Sequence, residues 1–286
     1  MSARILLIGM WIVIILAFIG CGSESPNVPE PPSNLWFSYG SDDLEIILHW
    51  QQSASQNIDG YKIYLGNELV GSVGADSTTF SDYPEFLGTY SVTAYADESE
   101  SQRASIELPE VWSSSDVTLD SRGLCAYQFN GEPPYIARRS IIRYSGYDIF
   151  YGDSTNQYLA DSVDFYFDTT LTLQNPQKIV REGRWTYAFH TRFYRIAENA
   201  DEQVLDTLSI IPRYDDSLFS DSLTVHRGDL IAIACFENDE PAISADKRYA
   251  VIYLTAVNDT AELHKTITFS YLAQSDKNYR LVKVSQ

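Results

Sequence analysis

Three cysteines and four histidines are the residues of this chain best suited to nucleophilic, redox or metal chemistry. The histidines lie far apart in the sequence and form no His-Glu-x-x-His motif. No glycine-rich phosphate loop and no Gly-x-Ser-x-Gly nucleophile turn occurs either. The sequence therefore shows no recognisable catalytic centre, and it favours a non-catalytic protein without a cofactor.

Acidic loops are the segments whose composition would suit a cation. Glu237–Glu240 follows a predicted strand, and Asp153–Asp161 spans a predicted turn. Calcium prefers several oxygen ligands, but neither loop has the spacing of an EF-hand. Calcium is thus the one cofactor that the sequence leaves open, and solvated loops are the simpler interpretation.

Cys21 follows an uncharged apolar run that begins at Ile5, behind a short segment containing Arg4. The run with its final Phe18-Ile19-Gly20-Cys21 resembles a bacterial lipoprotein signal, or lipobox. The resemblance implies that residues 1–20 are removed and that Cys21 carries diacylglycerol and an acyl group such as palmitate. An uncleaved membrane anchor is the alternative, although the run is shorter than the roughly 20 apolar residues of a spanning helix.

The residues after Cys21 indicate where the protein is displayed. Gly22 stands where an aspartate would suggest retention at the inner membrane, so the resemblance implies the outer membrane. Residues 21–33 contain four prolines and form a predicted extended tether. At about 3.1 Å per residue this tether would hold the next domain roughly 35 Å from the bilayer.

Residues 34–109 show short alternating strands separated by turn signals, which is typical of a two-sheet sandwich. Leu44–Trp50 places Leu44, Ile46, Leu48 and Trp50 on one face. This strand, Gly60–Tyr64 and Leu87–Ala94 with Tyr90 resemble a fibronectin type III domain. The resemblance implies a core Trp50, a Tyr90 hydroxyl bonded to the main chain, and a spacer or binding role. Trp36 in the first strand departs from the family pattern.

Residues 110–286 again read as strands separated by polar loops, and no family is recognised there. We predict an all-β protein whose second domain is a larger, jelly-roll-like β-sandwich. The segment Pro109–Asp116 is the predicted junction between the two domains. The predicted strands are Cys125–Phe129, Ser140–Tyr144, Asp148–Tyr151, Ser162–Phe167, Thr170–Leu173, Trp185–Tyr194, Val204–Ile211, Leu223–Val225, Leu230–Phe236, Tyr249–Val257, Leu263–Tyr271 and Tyr279–Val284.

Two cysteines remain after lipidation of Cys21. Cys125 and Cys235 both lie in predicted strands of the second domain, and outside the cytoplasm they could form a disulfide. Two separate buried thiols are the alternative, because a disulfide requires a short distance between α-carbons.

The formal net charge of −19 excludes one class of partner, since so acidic a surface repels nucleic acid. Arg192 with Trp185, Tyr187 and Tyr194 forms a predicted ligand face for an anionic glycan. Pairing of the arginine with acidic neighbours across a sheet is the alternative. Arg227-Gly228-Asp229 matches an integrin-binding tripeptide, but its place between two strands indicates a turn.

Three functions are compatible with these features. The favoured one is a non-catalytic cell-envelope lipoprotein, held by its N-terminal lipid, whose first domain presents a sandwich that binds a protein or glycan. An envelope enzyme acting on polysaccharide is an alternative, because two carboxylates suffice for glycoside hydrolysis. A structural subunit of an envelope assembly is the third.

Overall fold

A computed structural model describes residues 28–120, 126–127, 165–168, 170–177, 190–236, 246–261 and 264–283. Almost every regular element in these ranges is a β-strand, and the strands pair antiparallel in several sheets. The prediction of an all-β sandwich fold is confirmed.

The first sandwich contains eight strands in two sheets. A three-stranded sheet has the order β1-β2-β5, and the second sheet has the order β4-β3-β6, with β7 and β8 both pairing with β6. The strands are β1 (Ser33–Tyr39), β2 (Ile46–Gln51), β3 (Gly60–Leu65), β4 (Glu68–Gly74), β5 (Thr79–Asp82), β6 (Thr89–Ala96), β7 (Ser99–Glu100) and β8 (Ala104–Glu107).

The core of the first sandwich forms because alternate residues of facing strands point inward. In β2, Ile46, Leu48 and Trp50 are buried as predicted, while His49 between them is only half-buried. Trp50 packs edge-on against Tyr61, with ring centroids 5.4 Å apart. Each such large apolar side chain contributes about 1.5–3 kcal/mol when fully buried.

The described residues of the second region form two further sheets, with orders β10-β11-β12-β14 and β13-β15-β16-β17-β9. A short helix, α1 (Val204–Thr207), lies between β13 and β14. The strands are β9 (Val111–Asp120), β10 (Ala126–Tyr127), β11 (Phe165–Phe167), β12 (Thr172–Gln174), β13 (His190–Ala197), β14 (Ser222–Thr224), β15 (Leu230–Phe236), β16 (Lys247–Ala261) and β17 (His264–Gln274).

Strand β15 is buried on both faces, which explains its continuous apolar sequence. Ile231 and Ile233 face the core between the two sheets. Ala232 and Phe236 face the opposite side, where they pack with side chains of the segment 205–219. The second region therefore has a layer outside its five-stranded sheet, in addition to the sandwich itself.

Two predicted strands were wrong, and the predicted junction at Pro109–Asp116 stays a prediction. Most of that segment lies in the edge strand β9, which pairs with β17. The predicted strand Val204–Ile211 begins with α1 and is followed by a single bridge at Ile210. Of the predicted strand Tyr279–Val284, the described residues 279–283 form only the other half of that bridge, through Leu281.

Candidate functional site

The predicted ligand face is partly described by the structure. Trp185 and Tyr187 lie outside the described residues, whereas Arg192 and Tyr194 lie two residues apart on β13 and therefore share one face of the strand. Tyr194 is half-buried and packs on Phe219, with ring centroids 5.4 Å apart. An aromatic cleft around Tyr194 thus remains a prediction.

The guanidinium of Arg192 is engaged within the protein. Its Nε lies 3.1 Å from Asp221 Oδ1, and Nη2 lies 3.5 Å from Asp216 Oδ1. Nη1 also donates to the carbonyl oxygen of Phe219 at 3.4 Å. These contacts match the charge-pairing alternative, and they favour a structural role for Arg192 over binding of an anionic ligand.

The cysteine chemistry predicted from sequence is only partly located. Cys235 lies on β15, is 3% exposed, and belongs to the core between the two sheets. Cys21 and Cys125 lie outside the described residues, so the lipidation and the disulfide remain predictions.

The predicted cation ligands lie in parts of the chain that the structure does not describe. Both acidic loops, Asp153–Asp161 and Glu237–Glu240, lie outside the described residues. Within the described ranges, no group of three or more His, Cys, Asp or Glu side chains is arranged to hold a metal ion.

The Arg227-Gly228-Asp229 tripeptide forms a tight turn before β15. Gly228 adopts a φ of +83°, and a β-carbon there would lie 2.9 Å from the Asn199 α-carbon. Asp229 is 1% exposed, accepts a hydrogen bond from the backbone N–H of His226 and pairs with Arg195 at 3.2 Å. The aspartate cannot reach an external receptor, so the turn interpretation is correct.

The C-terminal segment 275–283 contacts both sandwiches through its backbone. Arg280 N–H donates to the Asp43 carbonyl at 3.1 Å, and Leu87 N–H donates to the Lys283 carbonyl at 2.6 Å. Toward the second region, Val282 N–H donates to the Ser209 carbonyl at 2.8 Å. The segment therefore joins the two sandwiches by main-chain hydrogen bonds.

Side chains of the same segment complete two different cores. Tyr279 and Leu281 are buried in the core of the first sandwich. Val282 is buried in the outer layer of the second region. The alternation of an extended chain sends neighbouring side chains to opposite sides, so one short segment serves both bodies.

Buried charges reinforce this junction. Asp43 is 8% exposed, and its Oδ2 lies 3.5 Å from Arg213 Nε and 3.9 Å from Arg280 Nε. The Tyr249 hydroxyl donates to the same oxygen at 3.4 Å. Burial lowers the pKa of Arg280 and of Lys247. A cleft of about 670 Å³ opens here, lined by Tyr39, Gly40, Ser41, Asp43, Arg213, Lys247 and Asn278.

A second feature lies on the outer face of the three-stranded sheet, away from the cores. Trp36 on β1 is 53% exposed and stacks on His49 of β2, with ring centroids 3.9 Å apart and an interplanar angle of 13°. The two residues are register partners, and His49 Nε2 lies 3.0 Å from Ser38 Oγ. The indole is therefore held by its neighbours while much of its surface faces solvent.

Sequence reasoning did not find either feature. The junction depends on contacts such as Asp43 with Arg280, which are remote in sequence. Trp36 gave a usable signal, because it departs from the fibronectin type III pattern, but its partner His49 required the register of β1 with β2.

No helix in the described part of the chain combines the length and the apolar composition that crossing a bilayer requires.

Comparison with known proteins assigns this chain to no family. No family model matches it, and no curated protein matches it. Among solved structures it is similar to the spore cortex lytic enzyme SleM of Clostridium perfringens, with 16% sequence identity and a TM-score of 0.25. The match covers 28% of this chain and 28% of SleM, and at this TM-score the likeness carries no argument.

Proposed function

We propose that this protein is a non-catalytic lipoprotein of the cell envelope, anchored by Cys21 at the outer membrane. A fibronectin type III-like first sandwich acts as a spacer, and it presents a second β-sandwich that binds a protein or a glycan. The lipid is the contact with the membrane, and the acidic surface disfavours nucleic acid.

The observation that carries this proposal is the junction made by the segment 275–283. It inserts Tyr279 and Leu281 into the first core while Val282 packs into the second region. A spacer domain holds a second domain at a defined distance from the membrane only if the two domains are rigidly connected. Shared apolar side chains and a buried charge cluster provide that fixed connection.

The strand order of the first sandwich supports the fibronectin-like assignment. Sheets β1-β2-β5 and β4-β3-β6 face each other, and Trp50 packs on Tyr61 between them. The Tyr90 hydroxyl donates to Asp82 Oδ2 at 2.5 Å, where the resemblance had implied a bond to the main chain. The tyrosine still ties its strand to the opposite sheet, but through a carboxylate.

The described part of the proline-rich tether packs on the first sandwich. Pro29 and Pro32 are buried, and the backbone of Glu30 bonds to both Ser53 and Ser55. The reach of the tether is therefore shorter than a fully extended spacer over residues 21–33 would give.

Metabolic labelling tests the anchor directly. Expressed in a bacterium with an outer membrane, the full-length protein should incorporate an alkyne-bearing palmitate and fractionate with outer membranes. The Cys21→Ala variant should do neither, because it lacks the sulfur that is acylated. Labelling of Cys21→Ala, or an unlabelled wild-type protein with an intact N-terminus, would overturn the proposal.

A further inference from the structure

We propose that the outer face of the β1-β2-β5 sheet binds a neutral glycan, with Trp36 as the stacking platform. The inference rests on the proposed function, because a glycan ligand requires display at the cell envelope. It differs from that function in placing the contact on the first sandwich.

The indole of Trp36 is held rigidly by its neighbours. Stacking on His49 at 3.9 Å covers one side of the Trp36 ring, and the contact of His49 with Ser38 holds the imidazole in place. The residue is nevertheless 53% exposed. A preordered aromatic surface loses little side-chain entropy on binding, which lowers the cost of association. The negative face of the ring attracts the weakly positive C–H groups of a pyranose.

Polar groups suited to a sugar lie beside the Trp36 platform. Asn34 Nδ2 donates to Gln51 Oε1 at 2.7 Å, and both residues are exposed. On the other flank, Thr79 is the register partner of His49 and is also exposed. Amides and hydroxyls can both donate and accept, so they suit the hydroxyl groups of a sugar.

The outer face of the β1-β2-β5 sheet carries little charge. Although the chain has a net charge of −19, strands β1, β2 and β5 contain no lysine, arginine or glutamate. Their single acid, Asp82, accepts a hydrogen bond from the buried Tyr90. Glu45, just before β2, accepts a hydrogen bond from Ser81 at the end of this face remote from Asn34. A surface with so little charge matches an uncharged ligand better than an anionic glycan, a cation or nucleic acid.

Solution binding tests the assignment on the full-length protein, purified in a detergent without a sugar headgroup. The probes are cellotetraose, maltotetraose and the tetramer of N-acetylglucosamine, measured by titration calorimetry. We expect at least one to bind, and we expect Trp36→Ala to weaken that binding at least tenfold. Leu69→Ala is the matched control, because Leu69 is 54% exposed on β4 of the other sheet. It should leave binding unchanged, and Trp36→Phe should retain part of it.

Several results would overturn the assignment. The first is equal glycan affinity in Trp36→Ala and wild type, and the second is a wild-type protein that binds none of the three probes. The third is self-association of the wild type that disappears in Trp36→Ala, because the exposed indole would then contact a second copy of the chain. Unchanged melting temperatures exclude misfolding as the cause of any loss. Glycan binding that survives in Trp36→Ala would refute this face as the site while leaving the proposed function intact. Loss of palmitate labelling would refute the anchor independently.

Discussion

At the scale of single residues, two buried tyrosines differ in whether the hydroxyl group has a hydrogen-bond partner. Tyr90 and Tyr279 are both fully buried in the first sandwich. The Tyr90 hydroxyl has Asp82 as acceptor, whereas the Tyr279 hydroxyl has no hydrogen-bond partner among the described residues. Burial raises the pKa of both phenols. Burying a hydroxyl without a hydrogen-bond partner destabilises the folded protein by the free energy of desolvation, and a hydrogen bond offsets that cost.

We therefore expect Tyr279→Phe to leave the free energy of unfolding unchanged or to raise it by about 1 kcal/mol. Tyr90→Phe should lower it by about 1.5–3 kcal/mol, because Asp82 loses a charge-assisted hydrogen bond. Urea denaturation of both variants gives the two values. A loss above about 1 kcal/mol in Tyr279→Phe would contradict the assignment, since it would mean that the hydroxyl is bonded.

Glu100 connects stability to pH. Burial alone would raise its pKa, but hydrogen bonds from Lys62, Tyr64 and Thr93 outweigh that effect and hold the pKa below its usual value. A carboxyl group with a lowered folded-state pKa stabilises the protein above its unfolded-state pKa of about 4.5. That stability is lost as the pH falls through the folded-state pKa.

Glu100→Gln should accordingly reduce the free energy of unfolding by about 1 kcal/mol at neutral pH and by less in acid. Thermal melts between neutral and acidic pH measure the difference from wild type. Glu98→Gln is the control, because it removes an equal charge from an exposed position in the same hairpin. Equal pH dependence in both variants would show that the hydrogen bonds to Glu100 do not hold its pKa down.

At the scale of elements, the C-terminal segment places neighbouring side chains in different hydrophobic cores. Leu281 is 1% exposed in the first core, and Val282 is 3% exposed in the second region. Leu281→Ala should cost about 2–4 kcal/mol, because it leaves a cavity in the first core. Amide hydrogen exchange through local openings should then speed up mainly in β2, β3 and β6 of the first sandwich.

Val282→Ala is the matched control for Leu281→Ala. It shortens the neighbouring side chain of the same segment, which packs in the second region instead of the first core. Its faster exchange should appear mainly in β15 and β16 of the second region. If both variants affected the same sandwich, the segment would not divide its side chains between the two cores.

The elements also show how far sequence reasoning reaches. Strand β15 was predicted with its observed bounds, since a continuous apolar run buried on both faces is unambiguous. The polar residues of the predicted junction Pro109–Asp116 gave no strand pattern, although hydrogen bonds to β17 keep most of this segment extended as β9. Asp116 there has a φ of +56° opposite a register shift, which marks a bulge that alternation cannot predict.

The helix α1 illustrates the same limit. Its apolar residues fit a strand pattern, and the chain turns just before it, where the Asp201 side chain accepts a hydrogen bond from the Gln203 N–H. Leu205 then packs in the outer layer against β15, a contact that local sequence does not contain. The candidate sites depend even more on pairings between distant segments, so the sequence marked Trp36 as unusual but did not predict its stacking on His49.

At the scale of the whole molecule, the junction determines whether the two sandwiches unfold together. Arg280 donates through Nη1 to the Ile211 carbonyl at 2.9 Å and through Nη2 to the Asp42 carbonyl at 3.1 Å. One guanidinium thus satisfies acceptors on both sides of the junction and also faces Asp43. Removing the guanidinium leaves the two carbonyl oxygens without this donor and removes one positive charge from beside the Asp43 carboxylate. Such changes lower the free energy of unfolding by several kcal/mol.

We expect wild-type protein to unfold in one calorimetric transition, because breaking either sandwich also breaks the segment that both share. Arg280→Gln should separate this into two transitions, as the junction opens before the cores melt. Arg103→Gln is the matched control, since Arg103 bonds the Gly66 carbonyl and covers Tyr64 at the surface of the first sandwich. It should keep a single transition. Two transitions in wild type would mean that the sandwiches are not coupled, and their connection would then behave as a hinge. One undivided transition in Arg280→Gln would mean that the coupling does not depend on this guanidinium.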